Sequence, residues 1–180
     1  MSTPGVGTLA RFRVPLGFFA AALVFYFSTP TFVSLASGIP AAMIGLFFRA
    51  AAAGVIRKDA VLAQDGPYLL TRNPLYFGSF MLAVGFGVMS ANLASALILI
   101  VPSAVIYPNV IRGEERHLLK LFGQEFSDFK ARVPAFFPHR LNTHMVKSFS
   151  TSQYLANHEY NAALGFAGAT LVLFLKLFLV

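Results

Sequence analysis

Two polar clusters in the middle of the chain carry residue types that bind small molecules. The first cluster is the run from Gly66 to Gly78, which contains Tyr68, Arg72, Asn73 and a second tyrosine. The second cluster opens with two adjacent glutamates at positions 114 and 115. Arginine pairs with carboxylates and phosphates, whereas glutamate accepts hydrogen bonds from hydroxyl and ammonium groups. The two clusters together predict a polar pocket.

The first cluster lies where a loop enters a predicted helix. Asn73 suits the position before the first helical turn, and Pro74 suits that turn itself. The amide groups of such a helix start, with Arg72 beside them, attract a carboxylate or a phosphate. A simpler interpretation also fits, in which this run is a helix-entry loop with Arg72 and Tyr76 as anchors at a membrane surface.

The paired carboxylates also allow two interpretations. Glu114 and Glu115 stand at the start of a predicted helix, where the helix dipole favours negative charge without any further role. Glu115, however, comes three and four residues before Leu118 and Leu119, so it borders the apolar face of that helix. In that position it is available to ribose hydroxyls or to an ammonium group.

Charged residues in apolar segments are the remaining candidates. Arg49 lies inside an apolar run, where a charge costs about 2.5–3.5 kcal/mol in a bilayer and therefore usually faces a cavity or a partner. Glu159 precedes the last apolar run, where catalysis and a simple interfacial position are both open to it. Cysteine is absent and the histidines are scattered without ligand spacing, so the sequence predicts no metal site.

Composition indicates a membrane protein. Hydrophobic residues make up 57% of the chain and charged residues only 12%, whereas a soluble domain carries about 25% charged residues. The net charge of +7 does not indicate a nucleic-acid partner, because the basic residues flank apolar stretches and do not form a groove-lining array. There they set topology and attract anionic lipid headgroups. We predict a single membrane-embedded domain over residues 1–180.

Charge-free stretches predict an all-α integral membrane fold with about five transmembrane helices, since each crossing takes about 20 residues. A kink is expected at Ser28–Pro30 and a turn at Ser37–Pro40, and Pro102 and Pro108 are expected to bend the fourth span. The predicted spans are Val14–Leu35, Pro40–Ile56, Leu75–Asn92, Leu93–Ile111 and Tyr160–Val180.

An amphipathic helix at the membrane surface is predicted from Glu114 to Val133, because its apolar residues recur at helical spacing. Every lysine and arginine except Arg49 and Lys176 falls at the amino terminus, in the loop after the second span, or within residues 112–147. These regions share one membrane face if the spans are as drawn. The positive-inside rule makes that face cytoplasmic.

The clusters in this order resemble the integral-membrane methyltransferases of the isoprenylcysteine carboxyl methyltransferase and phospholipid methyltransferase superfamily. The resemblance covers roughly residues 45–138, with an additional helix at about 159–180. Asn73 stands where the eukaryotic carboxyl methyltransferases have histidine, and asparagine does not titrate near neutral pH. The matching residues are Gly66-Pro67-Tyr68, Arg72-Asn73-Pro74, Tyr76, Gly78, Glu114-Glu115, Leu118, Phe122-Gly123 and Val133-Pro134.

The resemblance implies a methyltransferase that holds S-adenosyl-L-methionine at the cytoplasmic face and methylates a lipophilic or lipidated acceptor. It implies that Glu114 and Glu115 take the ribose or the ammonium group of that cofactor, and that Leu118 lines the adenine pocket. The residues implied at the amino-acid end of the cofactor are Tyr68, Arg72, Asn73, Pro74 and Tyr76.

The acceptor is left open between two kinds of nucleophile. A carboxylate needs no base but needs a counter-charge once water is excluded, and Arg49 is our candidate for that role or for a contact with the cofactor carboxylate. An amine must arrive deprotonated, with Glu115 or Glu159 as proton acceptor. A membrane reductase that uses NADPH and a non-catalytic lipid-binding scaffold are the alternative functions. The oligomeric state is not predicted.

Overall fold

The computed structural model describes residue 17, residues 19–138, residue 146 and residues 148–179. Apart from one isolated bridge between Arg57 and Val61, the regular structure in these ranges is helical, which confirms the predicted all-α class. The elements are α1 (residues 19–27), α2 (Phe32–Ala53), a 3-10 turn (Gly66–Leu69), α3 (Pro74–Met89), α4 (Leu93–Arg132), α5 (Thr151–Ala156) and α6 (Tyr160–Lys176).

Helices α2 and α3 form the centre of the fold, and glycines let their backbones approach closely. A side chain at Gly45 would place its Cβ 2.5 Å from the carbonyl oxygen of Gly78. A side chain at Gly85 would place its Cβ 2.6 Å from the backbone nitrogen of Ala42. Small residues at such crossings are typical of helices that pack inside a membrane, where van der Waals contact replaces the hydrophobic effect.

The beginning of the described chain differs from the predicted single span Val14–Leu35, part of which lies outside the described residues. The kink predicted at Ser28–Pro30 is a complete break between α1 and α2. Proline disfavours the helical conformation in the residue before it. Thr31 then caps α2, since its side chain accepts a hydrogen bond from the backbone nitrogen of Ser34 at 3.0 Å.

The turn predicted at Ser37–Pro40 is wrong, because these residues lie inside α2. A side chain at Gly38 would stand 2.5 Å from the carbonyl oxygen of Gly85, so this segment is packed against α3. Pro40 is accommodated within the helix, as prolines in membrane helices often are. Packing against α3 outweighs the turn preference of glycine and proline. The observed helix α2 therefore begins at Phe32, eight residues before the predicted start of the second span.

The predicted boundary between the fourth span and the amphipathic helix is also wrong. Helix α4 continues through residues 112–114, where glycine alone is too weak a signal to end it. The interruption falls at Gly123, whose backbone has φ 52° and ψ −121°. Only glycine adopts this conformation readily. The expected amphipathic character is present beyond residue 114, where Phe126 and Phe129 are buried.

The described fold has two poles, at the opposite ends of helices α2 and α3. At one pole the backbone nitrogen of Thr29 donates to the carbonyl of Ser90 at 2.8 Å. Lys176 reaches the same pole and donates to the carbonyls of Phe25 and Tyr26. Except for Arg49 within α2, the other described lysines and arginines lie at the opposite pole, here called the charged pole. Among the described helices, α2 and α4 are long and apolar enough to cross a membrane, whereas α3 and α6 are apolar but shorter.

Candidate active site

Arg72 is the centre of the charged pole. Its side-chain Nε and Nη2 donate to Glu115 Oε1 at 3.0 and 2.7 Å. Its Nη1 donates to the carbonyl of Lys130 at 2.9 Å and to the carbonyl of Val133. Its backbone nitrogen donates to the carbonyl of Pro134 at 2.9 Å. One arginine therefore ties the start of α3 to the middle and the end of α4.

Glu115 is held between two cations. Its Oε2 accepts from the Nζ of Lys130 at 3.1 Å, while its Oε1 accepts from Arg72. Burial alone raises the pKa of Glu115, but the hydrogen bonds and positive charges of Arg72 and Lys130 outweigh burial and hold that pKa below its usual range. The carboxylate is therefore ionised at neutral pH, and it is a weak proton acceptor.

Glu114 is exposed and has a different partner. The hydroxyl of Tyr76 donates to Glu114 Oε1 at 2.7 Å, and the Tyr76 ring packs against the ring of Tyr107 with 5.3 Å between centroids. Tyr68 is buried nearby, and burial together with the negative charge of Glu114 raises the pKa of its hydroxyl. Tyr68 is therefore protonated at neutral pH and able to donate a hydrogen bond.

One cavity at this pole, here called the polar cavity, has a volume of about 260 Å³. It lies between the loop after α2 and the second half of α4. Leu118, Phe122 and Phe126 form an apolar wall, and Arg57, Lys58 and Asp59 line it from the loop. Six of the eight predicted cofactor residues line this cavity, namely Tyr68, Arg72, Asn73, Glu114, Glu115 and Leu118.

The other two predicted cofactor residues, Pro74 and Tyr76, do not line the polar cavity. Pro74 is the first residue of α3, as predicted, and Tyr76 acts through its bond to Glu114. Asn73 precedes α3 as predicted, but its side chain makes no capping bond, so that part of the prediction is wrong. Its Nδ2 instead donates to the carbonyl of Ala135 at 2.9 Å, because the segment after α4 lies alongside.

The second cavity, the apolar cavity, has a volume of about 580 Å³ and lies between α3, the middle of α4 and residues 135–137. Four aromatic residues line it, namely Phe80, Tyr107, Phe136 and Phe137. The Phe136 ring contacts the Phe80 ring with 5.7 Å between centroids. Sequence reasoning missed this cavity, because its walls come from segments far apart in the chain.

The ion pair between Arg72 and Glu115 lines both cavities and forms the wall between them. On the apolar side, the other charged groups are Arg112 and Lys130. Three cations and one carboxylate thus border the apolar cavity, and the carboxylate is already neutralised by two of those cations. The site places a charged chamber against an apolar one with an excess of positive charge where they meet.

Arg49 and Glu159 are brought together away from both cavities. The Nε and Nη2 of Arg49 donate to the two carboxylate oxygens of Glu159 at 2.5 and 3.0 Å, and its Nη1 donates to Ser79 Oγ at 2.5 Å. This pair joins α2, α3 and the start of α6. The catalytic roles expected of Arg49 and Glu159 stay predictions, and the observed contacts give each residue the other as its partner.

Several lining residues were not predicted, although some had a signal in the sequence. Phe122, Phe126 and Phe129 recur at helical spacing with Leu118, so the apolar wall was visible as the face of an amphipathic helix. The charged loop residues Arg57 and its neighbours gave no such signal. These residues lie in an exposed loop with irregular backbone, so their sequence has no periodic pattern from which a cavity wall can be predicted.

The fold and site define a helical protein in which a charged chamber adjoins an apolar one. The sequence profile of the phospholipid methyltransferase family matches residues 12–125, which is more than half of the chain. The chain therefore belongs to the phospholipid methyltransferase family, which confirms the resemblance drawn from the motifs.

Curated relatives match a shorter stretch. The chain is 45% identical over 82 residues to the nickel-cobalt-cadmium resistance protein NccN of Alcaligenes xylosoxydans xylosoxydans, a stretch that covers 46% of this chain and 38% of that protein. It is 31% identical over 81 residues to the protein-S-isoprenylcysteine O-methyltransferase of Schizosaccharomyces pombe, with 45% and 34% covered. The match thus spans well under half of each relative's length. No solved structure matched the chain.

The first of these relatives is named for resistance to nickel, cobalt and cadmium. Within the described residues of this chain, no group of three or more histidine, cysteine, aspartate or glutamate side chains is placed to hold a metal ion. His117 and Asp59, which are 3.1 Å apart, are both exposed.

Proposed function

We propose that this protein is a membrane methyltransferase that uses S-adenosylmethionine and methylates a lipophilic carboxylate. The observation that carries the proposal is the shared wall: a cavity suited to a nucleoside cofactor meets an apolar cavity at the Arg72–Glu115 ion pair. The family to which the chain belongs supports methyl transfer. The names of relatives such as the fission yeast enzyme support a carboxylate as acceptor.

The polar cavity suits the separate parts of S-adenosylmethionine. Leu118 and Phe122 offer flat apolar contact for adenine, and exposed Glu114 offers a carboxylate oxygen to ribose hydroxyls. Arg57 and Lys58 supply positive charge for the carboxylate of the amino-acid end. When bound, the cofactor supplies a methyl group on a sulfonium, which is already activated toward a nucleophile.

The apolar cavity suits the lipid part of an acceptor. Its volume of about 580 Å³ lies within the range of about 300–1,000 Å³ that is usual for small-molecule sites. Val101, Val105 and Ile106 on the same part of α4 are exposed and apolar, so a bilayer would lie against them. An acceptor would then enter from the membrane without crossing water.

Charge at the meeting point favours an anionic acceptor over an amine. Arg72, Arg112 and Lys130 border the apolar cavity there, whereas Glu115 is the only carboxylate among the described residues that line it. A protonated amine is repelled by this excess and lacks a strong base, because the lowered pKa of Glu115 makes that carboxylate a weak proton acceptor. A carboxylate is attracted and is already a nucleophile.

These residues would assist the reaction by position and exclusion. The aromatic walls keep water from the meeting point, and the surplus cations hold an acceptor carboxylate that would otherwise resist losing its hydration. The Arg72–Glu115 pair fixes the position of one cavity relative to the other, because Arg72 bonds to both halves of α4. Alignment of nucleophile and methyl group is the main requirement for such a transfer.

The proposal includes the finer topology. About five membrane crossings with the charged pole at the cytoplasmic face are supported by the placement of the described lysines and arginines, of which only Arg49 and Lys176 lie away from that pole or its loops. A reductase or a scaffold is not favoured by the family to which the chain belongs.

The test combines binding with an acceptor series. Calorimetry of the detergent-purified protein should show S-adenosylhomocysteine binding and no NADPH binding. Labelled methyl transfer should then be measured with an S-prenylated N-acetylcysteine, with its carboxamide, and with phosphatidylethanolamine vesicles. Transfer to the free carboxylate alone is the expected result. Transfer to phosphatidylethanolamine would overturn the carboxylate assignment, and NADPH binding alone would overturn the methyltransferase.

Arg112 offers a matched pair of variants for the acceptor. Arg112→Glu should lower kcat/KM for the carboxylate acceptor about tenfold, since it reverses a charge at the apolar cavity, while S-adenosylhomocysteine affinity stays unchanged. Arg116→Glu carries the same charge reversal one turn later, on an exposed residue that lines neither cavity. An equal loss in both variants would contradict the placement of the acceptor.

A further inference from the structure

The segment before α6 is bonded to the end of α2. The side-chain Nδ2 of Asn157 donates to the carbonyls of Ala53 and Ile56, at 2.8 and 3.2 Å. The last carbonyls of a helix have no partner within the helix, so a side chain that satisfies them fixes where the chain leaves it. Asn157 thus holds the point at which α2 gives way to the following loop.

A second contact lies beside the first. The backbone nitrogen of Ser150 donates to the carbonyl of Gly54 at 2.9 Å. The Phe149 ring packs directly on the Gly54 backbone, where a Cβ would stand 2.2 Å from that ring. Gly54 therefore makes room for the ring. Residues 149–157, here called the C-terminal latch, thus contact the end of α2 at two points. The latch lies outside residues 12–125, the stretch matched by the family profile.

The loop that follows α2 has few bonds of its own. Residues 57–61 are exposed, and Asp59 has a positive φ of 58°. The hydrogen bonds to the carbonyl of Arg57 from the backbone nitrogens of Ala60 and Val61 are long, at 3.3 and 3.4 Å. The same loop forms one side of the polar cavity, which begins at Ile56. The exposed side chain of Asp59 contacts His117 Nε2 of α4 at 3.1 Å, and otherwise the position of the loop depends on how its ends are held.

We propose that the C-terminal latch positions the 57–61 loop and so shapes the polar cavity. The latch bonds directly to the carbonyl of Ile56, the first cavity-lining residue of this segment. Residue Ser148, just before the latch, borders a further small cavity of about 210 Å³ together with Arg57 and Val61. Asn157 and Phe149 are thus positioning residues for cofactor binding, and this part of the inference rests on the proposed function.

The test uses the absence of cysteine in the native chain. A single Ala60→Cys substitution, on the exposed loop at a residue that does not line the polar cavity, takes a spin label, and the label's mobility is recorded in full-length protein without ligand. Asn157→Asp is then introduced, since it keeps the size of the side chain but removes the donor. Asn161→Asp, the same change at an exposed residue of α6, is the matched control.

Asn157→Asp should increase the mobility of the label and weaken S-adenosylhomocysteine binding about tenfold, with KM for S-adenosylmethionine raised and kcat nearly unchanged. Asn161→Asp should leave all of these values as in the parent. Phe149→Leu, a milder change, should shift label mobility and S-adenosylhomocysteine affinity in the same direction. It serves as the test variant if Asn157→Asp does not fold. Unchanged label mobility in both latch variants would overturn the proposal. Because mobility needs no ligand, a parent protein that fails to bind S-adenosylhomocysteine would refute the proposed function and leave the latch to be decided separately.

Discussion

Two arginine–glutamate ion pairs occupy different regions of this molecule, and in each pair the Nε and Nη2 of the arginine donate to the carboxylate. Arg72 and Glu115 lie on the wall between two cavities, and Lys130 adds a second cation. Arg49 and Glu159 lie between α2 and α6, and neither lines the polar or the apolar cavity. The chemistry of the pairs is alike. What surrounds each pair therefore decides whether it serves binding or cohesion.

The largest expected effect is at the cavity wall. Arg72→Met should reduce methyl transfer at least about a hundredfold and lower the free energy of unfolding by about 3 kcal/mol, because a buried pair loses one member and Glu115 stays charged. Arg72→Lys should recover little, since one ammonium group cannot make the bonds that the guanidinium makes to Glu115 and two carbonyls. Transfer assays and thermal unfolding in detergent measure both effects. Wild-type turnover in Arg72→Met would remove the wall from the mechanism.

The pair between helices should affect stability more than activity. Arg49→Met and Glu159→Met should each lower the free energy of unfolding by about 2 kcal/mol, because each leaves a largely buried charge without its partner. The double substitution should cost less than either single one, since both charges are removed together. Thermal unfolding of the wild type, the two single variants and the double variant measures these differences.

The same variants decide the roles predicted from the sequence. If Arg49→Met lost transfer while its stability and its S-adenosylhomocysteine affinity were retained, Arg49 would act on the acceptor as first predicted, and the contrast between the pairs would fail.

The two neighbouring glutamates sharpen the comparison within one region. Glu114→Gln should weaken S-adenosylhomocysteine binding about tenfold with little change in stability, since Glu114 is exposed and would bind ribose hydroxyls by charge-assisted hydrogen bonds. Glu125→Gln, also an exposed carboxylate on α4 but outside both cavities, is the control. Calorimetry that found equal affinities for the two variants would argue against Glu114 as a ligand.

The smallest expected effect is the pH dependence of stability at the wall. Because the pKa of Glu115 is lowered in the folded state, its contribution is fully present above the ordinary glutamate pKa of 4.5 and is lost as pH falls through the lower folded value. Wild type should therefore lose thermal stability over that acidic interval, and Glu115→Gln should lose less. Parallel profiles for both proteins would contradict the direction of this pKa shift.

The sequence predicted the helical class, the family and six of the residues that line the polar cavity, because those depend on local patterns. Charge-free runs predict helices, and the spacing of Leu118 and Phe122 predicts the apolar wall. It failed at Pro40 and near Gly113, where packing against other helices or simple helix continuity overrides a local break signal.

The apolar cavity and the pairing of residues could not be predicted for a different reason. Glu159 lies 110 residues from Arg49, and nothing in their local sequence specifies the contact. Phe136 lines the apolar cavity only because Asn73 and Arg72 hold the segment after α4 in place. Such long-range contacts follow from the assembled fold.

The shared wall has a thermodynamic consequence. Since Arg72 and Glu115 face both cavities, a molecule bound in one chamber alters the electric field and the freedom of movement in the other. Linkage requires the two effects to be equal: the factor by which the first ligand changes the affinity of the second is the factor by which the second changes the affinity of the first. The two compartments therefore constitute one thermodynamic unit, in which the order of loading changes the route but not the total free energy.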